Sequence, residues 1–187
     1  MSTTSRTSPL AVGTALAVAV RAVAAAALAA VVTFALDHSA PARFGLIVLG
    51  GYLLLQAVVL VLCSSGLAWT RAGRGLVLLR AAVSLAGGVV ALTGIDSGIS
   101  LLRPLEALVF LLLGALEIVG GLRRGERADL SGDAVVVGGL QVLVGIVLIV
   151  LNPDPLFATG VLSAWGAIVA VYLGISAANI RRRSARG

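Results

Sequence analysis

The chain has no lysine, one cysteine (Cys63), one histidine (His38), few aromatic residues (4%) and few charges (12%) across 187 residues. Each shortage excludes something. One cysteine excludes an internal disulfide, and Cys63 lies in an apolar run, where it reads as a packing residue. One histidine and one cysteine exclude a transition-metal site within a single chain, so neither metal nor cofactor is expected. The lone histidine sits in a loop, which excludes a Ser/His/Asp set. HExxH, GxSxG and a glycine-rich phosphate loop after a strand are also missing. No catalytic residue is assigned, and the chain is not expected to be an enzyme. Aromatics are not interleaved with basic residues, so nucleic-acid binding has no support. Soluble domains carry about 25% charged residues. Half that figure excludes a soluble globule and a disordered chain.

What is present is oil. Hydrophobic residues make up 59% of the chain, and the mean hydropathy is +1.10. A spanning helix needs about 20 mostly apolar residues. Six segments qualify: Leu16–Leu36 (with a start nearer Leu10 as the alternative), Phe44–Leu67, Leu76–Thr93, Leu105–Leu122, Ala134–Leu151 and Leu156–Asn179. Between them lie Asp37-His38-Ser39-Ala40-Pro41, Arg71-Ala72-Gly73-Arg74-Gly75, Ile95-Asp96-Ser97-Gly98, Arg123 through Asp133, and Asn152-Pro153-Asp154-Pro155. These supply turn chemistry. The expected fold is all-α: a polytopic membrane protein of six transmembrane helices. A polar N-terminus spans 1–9, the helical domain 10–180 and a basic tail 181–187.

All fourteen basic residues are arginine. Arg6, Arg71, Arg74, Arg123, Arg124, Arg127, Arg181, Arg182, Arg183 and Arg186 fall on one side of the expected topology. Only Arg43 and Arg103 fall on the other. That asymmetry predicts cytoplasmic termini by the positive-inside rule. The all-arginine, alanine-rich composition also suggests a GC-rich bacterial genome. A signal peptide is the competing reading of Met1 to Ala30, but Arg21 interrupts its apolar stretch and no polar domain follows.

The odd-numbered segments resemble one another. Arg21 precedes Ala29 by eight residues, Arg80 precedes Gly88 by eight, and Val137 precedes Gly145 by eight. The three starts lie 59 and 57 residues apart. This spacing predicts three tandem helical hairpins at about 10–70, 71–127 and 128–180. The last pair reads GGLQVLVGIVLIVLNPDPLFATGVLSAWGAIVAVYLGISAANIRRR, and the middle one contains LLRAAVSLAGGVVAL and FLLLGALEIVGGLRR. The Gly138-to-Gly145 spacing, the proline exit and Tyr172-Leu173-Gly174-Ile175 resemble the HdeD family of bacterial acid-resistance membrane proteins. The first hairpin matches least, because Ala26 to Ala30 lacks the glycine. The resemblance implies six spans, an inner-membrane location and a non-catalytic role in acid or envelope stress.

Charges inside a bilayer are costly and need an account. Arg80 and Glu117 lie at matching depth, about 7 Å in, on helices joined by a short loop. Three readings stand: a bidentate Arg80–Glu117 pair, an Arg80 that snorkels to the interface, and a proton or cation site at Glu117. Arg21 sits at the repeat-equivalent depth. Its choices are snorkelling or a hydrogen bond to Gln56 on its hairpin partner. Gln141 is expected to hydrogen-bond across a helix interface. Glu106 is expected at the outer end of the fourth helix, solvated by the interface. Gly166, Ala170, Gly174 and Ala178 form a small-residue stripe on the sixth helix, and Ser84 and Gly88 do the same on the third. Such stripes serve contacts within the bundle or between copies, so a homo-oligomer is a second use. The bilayer is the expected partner. The alternative function is a small transporter or channel using Glu117 with Arg80 or Arg21.

Overall fold

A hydrocarbon solvent offers no hydrogen bonds, so an apolar chain there must satisfy its backbone within the segment, and only a helix does so along one strand. The computed structural model describes residues 9–36, 39–66, 71–123, 128–151 and 154–184. They form six helices and one 3-10 turn: α1 Pro9–Ala35, α2 Pro41–Gly66, α3 Arg71–Thr93, the turn Ile95–Ser97, α4 Ile99–Leu122, α5 Ala128–Leu151 and α6 Pro155–Ser184. All six are long and apolar enough to cross a membrane. Among the described residues there is no strand. Less than half of each span is buried inside the bundle. Phe34 is 88% exposed and Val150 71%, a surface suited to lipid and untenable in water.

Helix starts follow local chemistry. Proline opens α1, α2 and α6, where its missing N–H costs nothing. The Asp154 carboxylate accepts the Phe157 N–H at 2.7 Å and caps α6. Starts come earlier than expected: α1 begins at Pro9, beside the alternative Leu10; α2 at Pro41, three residues before Phe44; and α3 at Arg71, five residues before Leu76, so that Arg71 to Gly75, expected as a turn, are helical. The two largest shifts from a single expected start are those of α4 and α5. Helix α4 begins at Ile99, six residues before Leu105. Gly98, at φ +62°, turns the chain sharply out of the 3-10 turn, and α4 takes in Pro104 near its exposed beginning. Helix α5 begins at Ala128, six residues before Ala134, and so includes Asp133.

The packing pairs are not the sequential hairpins. The most extensive contacts join α4 to α5, α1 to α6, and α2 to α3. Contacts of α1 with α2, α3 with α4 and α5 with α6 are much smaller. Helices α2, α4 and α6 touch one another, and each odd helix packs against two of them. Close crossings of small residues explain the choice of partners. A methyl group on Gly88 would lie 3.1 Å from the Gly50 carbonyl oxygen. On Gly145 it would lie 3.0 Å from that of Ala107, on Gly166 3.0 Å from that of Ala25, and on Gly114 2.7 Å from that of Gly138. Backbones this close maximise van der Waals contact where no hydrophobic force drives helices together.

The centre is filled by Leu46, Leu49 and Leu53 from α2, Leu102, Phe110 and Leu113 from α4, and Leu162, Trp165 and Val169 from α6. The Trp165 ring stands edge-on to Phe110 (4.9 Å) and Tyr52 (5.6 Å). Thr33 donates to Ser163 at 2.9 Å, and Ser163 donates to the Ala29 carbonyl at 3.2 Å, which stitches α1 to α6.

The expected stripe on α6 splits. Gly166 is buried against α1 and Ala170 is half-buried against the core, but Gly174 and Ala178 are exposed. A four-residue step overshoots one turn by about 40°, so three steps turn the stripe about 120° away. The buried line runs instead through Leu162, Trp165, Val169, Leu173 and Ala177. On α3, Ser84 and Gly88 both face inward. Several expectations fall outside the described residues: Arg6, Asp37, His38, Arg124, Arg127 and Arg186, together with the side chains of Cys63, Arg71 and Arg183.

Candidate functional site: a buried arginine–glutamate–arginine cluster

Helix α4 is apolar on every face, so a charge on its inner side needs partners delivered by its neighbours. Glu117 is 1% exposed. Its Oε1 accepts Arg21 Nη2 of α1 at 2.7 Å, and its Oε2 accepts Arg80 Nη2 of α3 at 2.8 Å. The structure therefore brings three of the expected residues together. The bidentate Arg80 pair is corrected: each carboxylate oxygen takes a different arginine, one from each odd helix flanking α2. The reading of Arg21 is corrected as well. It reaches inward to Glu117, and Gln56 Oε1 has no hydrogen-bond partner. Repeat-equivalent depth was the signal that placed Arg21 level with Arg80. The route from α1 to α4 was not visible in one dimension.

Two cations and one anion leave the cluster with a net positive charge. Arg80 is almost wholly buried and its Nε has no acceptor; the Arg21 side chain keeps 25% of its surface accessible. Beside Arg21, a cleft of about 10 Å³ is lined by Ala24, Tyr52, Gln56, Val59 and Leu60. That is room for one water-sized species, and Gln56 is the buried amide on its wall.

Gln141 on α5 is buried, but its Oε1 has no partner, which corrects the expected cross-helix bond through that oxygen. Its stem packs against α4 instead: a methyl group on Gly114 would lie 2.9 Å from Gln141 Cβ. Glu106 is the larger correction. It is 0% exposed, and neither carboxylate oxygen has a partner. The early start of α4 carries it about two turns into the helix and away from the interface.

Sequence reasoning missed one polar cluster. Tyr172 donates to Asp133 Oδ1 at 3.1 Å and Ser176 donates to Oδ2, tying α6 to α5. The four-residue spacing of Tyr172 and Ser176 was the available signal. It went unread because Asp133 was assigned to a loop. At the loop end, Arg43 and Asp96 approach to 3.9 Å, both well exposed, and such a pair contributes little. Among the described residues, no three His, Cys, Asp or Glu side chains group to hold a metal ion.

Chemically, the cluster is a salt-bridged clamp across three helices. It presents no nucleophile beside a base. Comparison with protein-family models, with curated proteins and with solved structures finds no match.

Proposed function

We propose that this integral membrane protein is a non-catalytic component of a bacterial inner membrane, with both termini cytoplasmic. By its resemblance to the HdeD family, its role is structural or interactive in acid or envelope stress. One observation carries the non-transporting part of this reading: both oxygens of Glu117 are already taken by arginines. A carboxylate held this way favours fixing α1, α3 and α4 over exchanging cations. The arginine-rich ends of the helices suit anionic lipid headgroups.

The internal repeat gains support from the small-residue crossings. Gly50, Ala107 and Gly166 on the even helices are 57 and 59 residues apart. Gly88 and Gly145 face the first two; a methyl group on Gly166 would meet Ala25 (3.0 Å to its carbonyl oxygen) and then Ala29 (3.4 Å to its N), which lies 59 residues before Gly88. A unit of one even and one odd helix, used three times, accounts for both series.

A second reading, a small transporter or channel using Glu117 with Arg80 or Arg21, is favoured by the cleft that reaches Arg21 and Gln56. Reconstitution separates the two. Vesicles containing the protein are expected to show no ion or proton flux above empty vesicles, and a chromosomal deletion is expected to lower acid or envelope-stress survival. Flux abolished by an Arg80/Glu117 charge exchange that preserves folding would establish transport instead.

A further inference from the structure

Glu106 has no part in the clamp, yet it is as deeply buried as Glu117 and lies on the same face of α4. Eleven residues are three turns plus about 20°, so the two carboxyls are about 16 Å apart along one line. Leu102, one turn before Glu106, and Thr159 of α6 crowd the same face of Gly45 of α2. Phe110, one turn after it, packs on Trp165. Glu106 therefore faces the centre, where α2, α4 and α6 meet.

The close crossings define the layer. Leu49, Glu106 and Trp165 each immediately precede a crossing residue: Gly50, Ala107 and Gly166. All three are buried. The two polar members of this layer share one condition. Both Glu106 oxygens and Trp165 Nε1 are buried without a hydrogen-bond partner. Such groups are rare in native proteins, and each calls for an explanation.

We propose that Glu106 is a proton-binding site at the centre of the bundle, with the Trp165 indole N–H as the donor that receives its carboxylate when the proton leaves. A metal cation does not fit, because it needs several oxygen ligands. Leu49, Leu102, Phe110 and Leu162 offer none, and the Thr159 hydroxyl already lies within hydrogen-bonding distance of the Pro155 and Pro41 carbonyls. A proton needs only the carboxyl itself. The packed layer accommodates a neutral acid; an ionised carboxylate there has to find a donor. On release, the carboxylic O–H bond breaks and the proton passes to water entering past the first two turns of α4. The carboxylate is left to the indole N–H.

The other titratable groups around this layer are accounted for element by element. On α2 they are Tyr52, whose ring stands edge-on to Trp165 at 5.6 Å, and Arg43, exposed beside Asp96 of the 3-10 turn. On α4 they are Arg103 and the clamped Glu117. On α6 they are Asp154 at its beginning, Tyr172, and Arg181, Arg182 and Arg183 at its far end, and on α5 none lies between Asp133 and Leu151. Arg80 of α3 and Arg21 of α1 are engaged at Glu117. The inference goes beyond the stress reading and does not depend on it.

The experiment uses the full chain in lipid nanodiscs. The protein has two tryptophans, so Trp69→Phe leaves Trp165 as the sole indole. Infrared difference spectra between acidic and alkaline buffer are expected to lose a protonated-carboxyl carbonyl band. Trp165 emission is expected to change over the same pH range. Glu106→Gln, isosteric with the neutral acid, is expected to remove the band and flatten the emission profile. Glu106→Leu keeps the layer filled, and it carries the same test if the glutamine variant fails to fold. Trp165→Phe is expected to keep the band and move the titration midpoint. A band that persists in the Glu106 variants, or is absent from the parent at every pH, overturns the site. An unmoved midpoint in Trp165→Phe overturns the role of the indole.

Discussion

Glu117 gives one oxygen to each of two arginines, and the consequence is an asymmetry between breaking and replacing the cluster. Removing one member of a buried ion pair leaves an uncompensated charge, at about 3–5 kcal/mol. Glu117→Gln strips the anion from both arginines and is expected to lower stability by that order in reversible detergent denaturation, whereas Arg80→Met leaves Glu117 paired with Arg21 and is expected to cost less. Arg21→Met is expected to cost less still, because its side chain is partly accessible. Replacing all three with apolar residues of similar volume is expected to restore most of the loss, since desolvation of the charges then disappears as well. A triple variant no more stable than Glu117→Gln would contradict this account. Matching depths on neighbouring helices made Arg80 and Glu117 legible from sequence. The Arg21 contact and the burial of Glu106 were not, since one depends on where α1 sits and the other on where α4 starts.

At the scale of helices, the glycines divide by what a side chain would meet. A methyl group at Gly114 meets the Gly138 carbonyl oxygen at 2.7 Å, and backbone cannot swing aside. Gly114→Ala is expected to push α4 from α5 and cost about 1–3 kcal/mol. Gly51→Ala and Gly174→Ala, with open space around them, are expected to stay within about 0.5 kcal/mol. Thermal unfolding of the three variants in one detergent checks both statements. Gly98 differs again: its φ of +62° with ψ of −143° lies near a region essentially reserved for glycine, so Gly98→Ala is expected to destabilise the α3–α4 turn by about 1–3 kcal/mol although nothing crowds it. Six helices were legible because each apolar run has the length of a bilayer. The α4 and α5 starts were displaced because residues 99–104 fell outside the expected fourth span and Asp133 read as a loop residue, whereas α4 takes in Pro104 and α5 takes in Asp133 near their beginnings.

For the whole molecule, the α1–α6 contact closes the bundle, so helices far apart in the chain hold it together. Thr33 and Ser163 place their hydroxyl oxygens 2.9 Å apart. In a Cys63→Ser background, Thr33→Cys with Ser163→Cys is expected to oxidise to a disulfide. After cleavage at a protease site introduced between α4 and α5, the two fragments should migrate together without reductant and separate with it. Fragments that separate under both conditions would remove the α1–α6 pairing. The prediction discriminates because a chain of three independent hairpins would place α1 against α2.

Hydropathy is a property along the chain, so sequence alone determined the number of membrane-sized helices and, within a residue, where five of the six end. Which helix lies against which was decided only in three dimensions. Helices that are apolar all round carry no stripe marking an inner face. Partner choice therefore fell to close contacts of small residues at Gly50, Ala107 and Gly166. Those same crossings set α1 where Arg21 reaches Glu117 and drew Glu106 into the centre, because a packed interior has room for each backbone in only one arrangement.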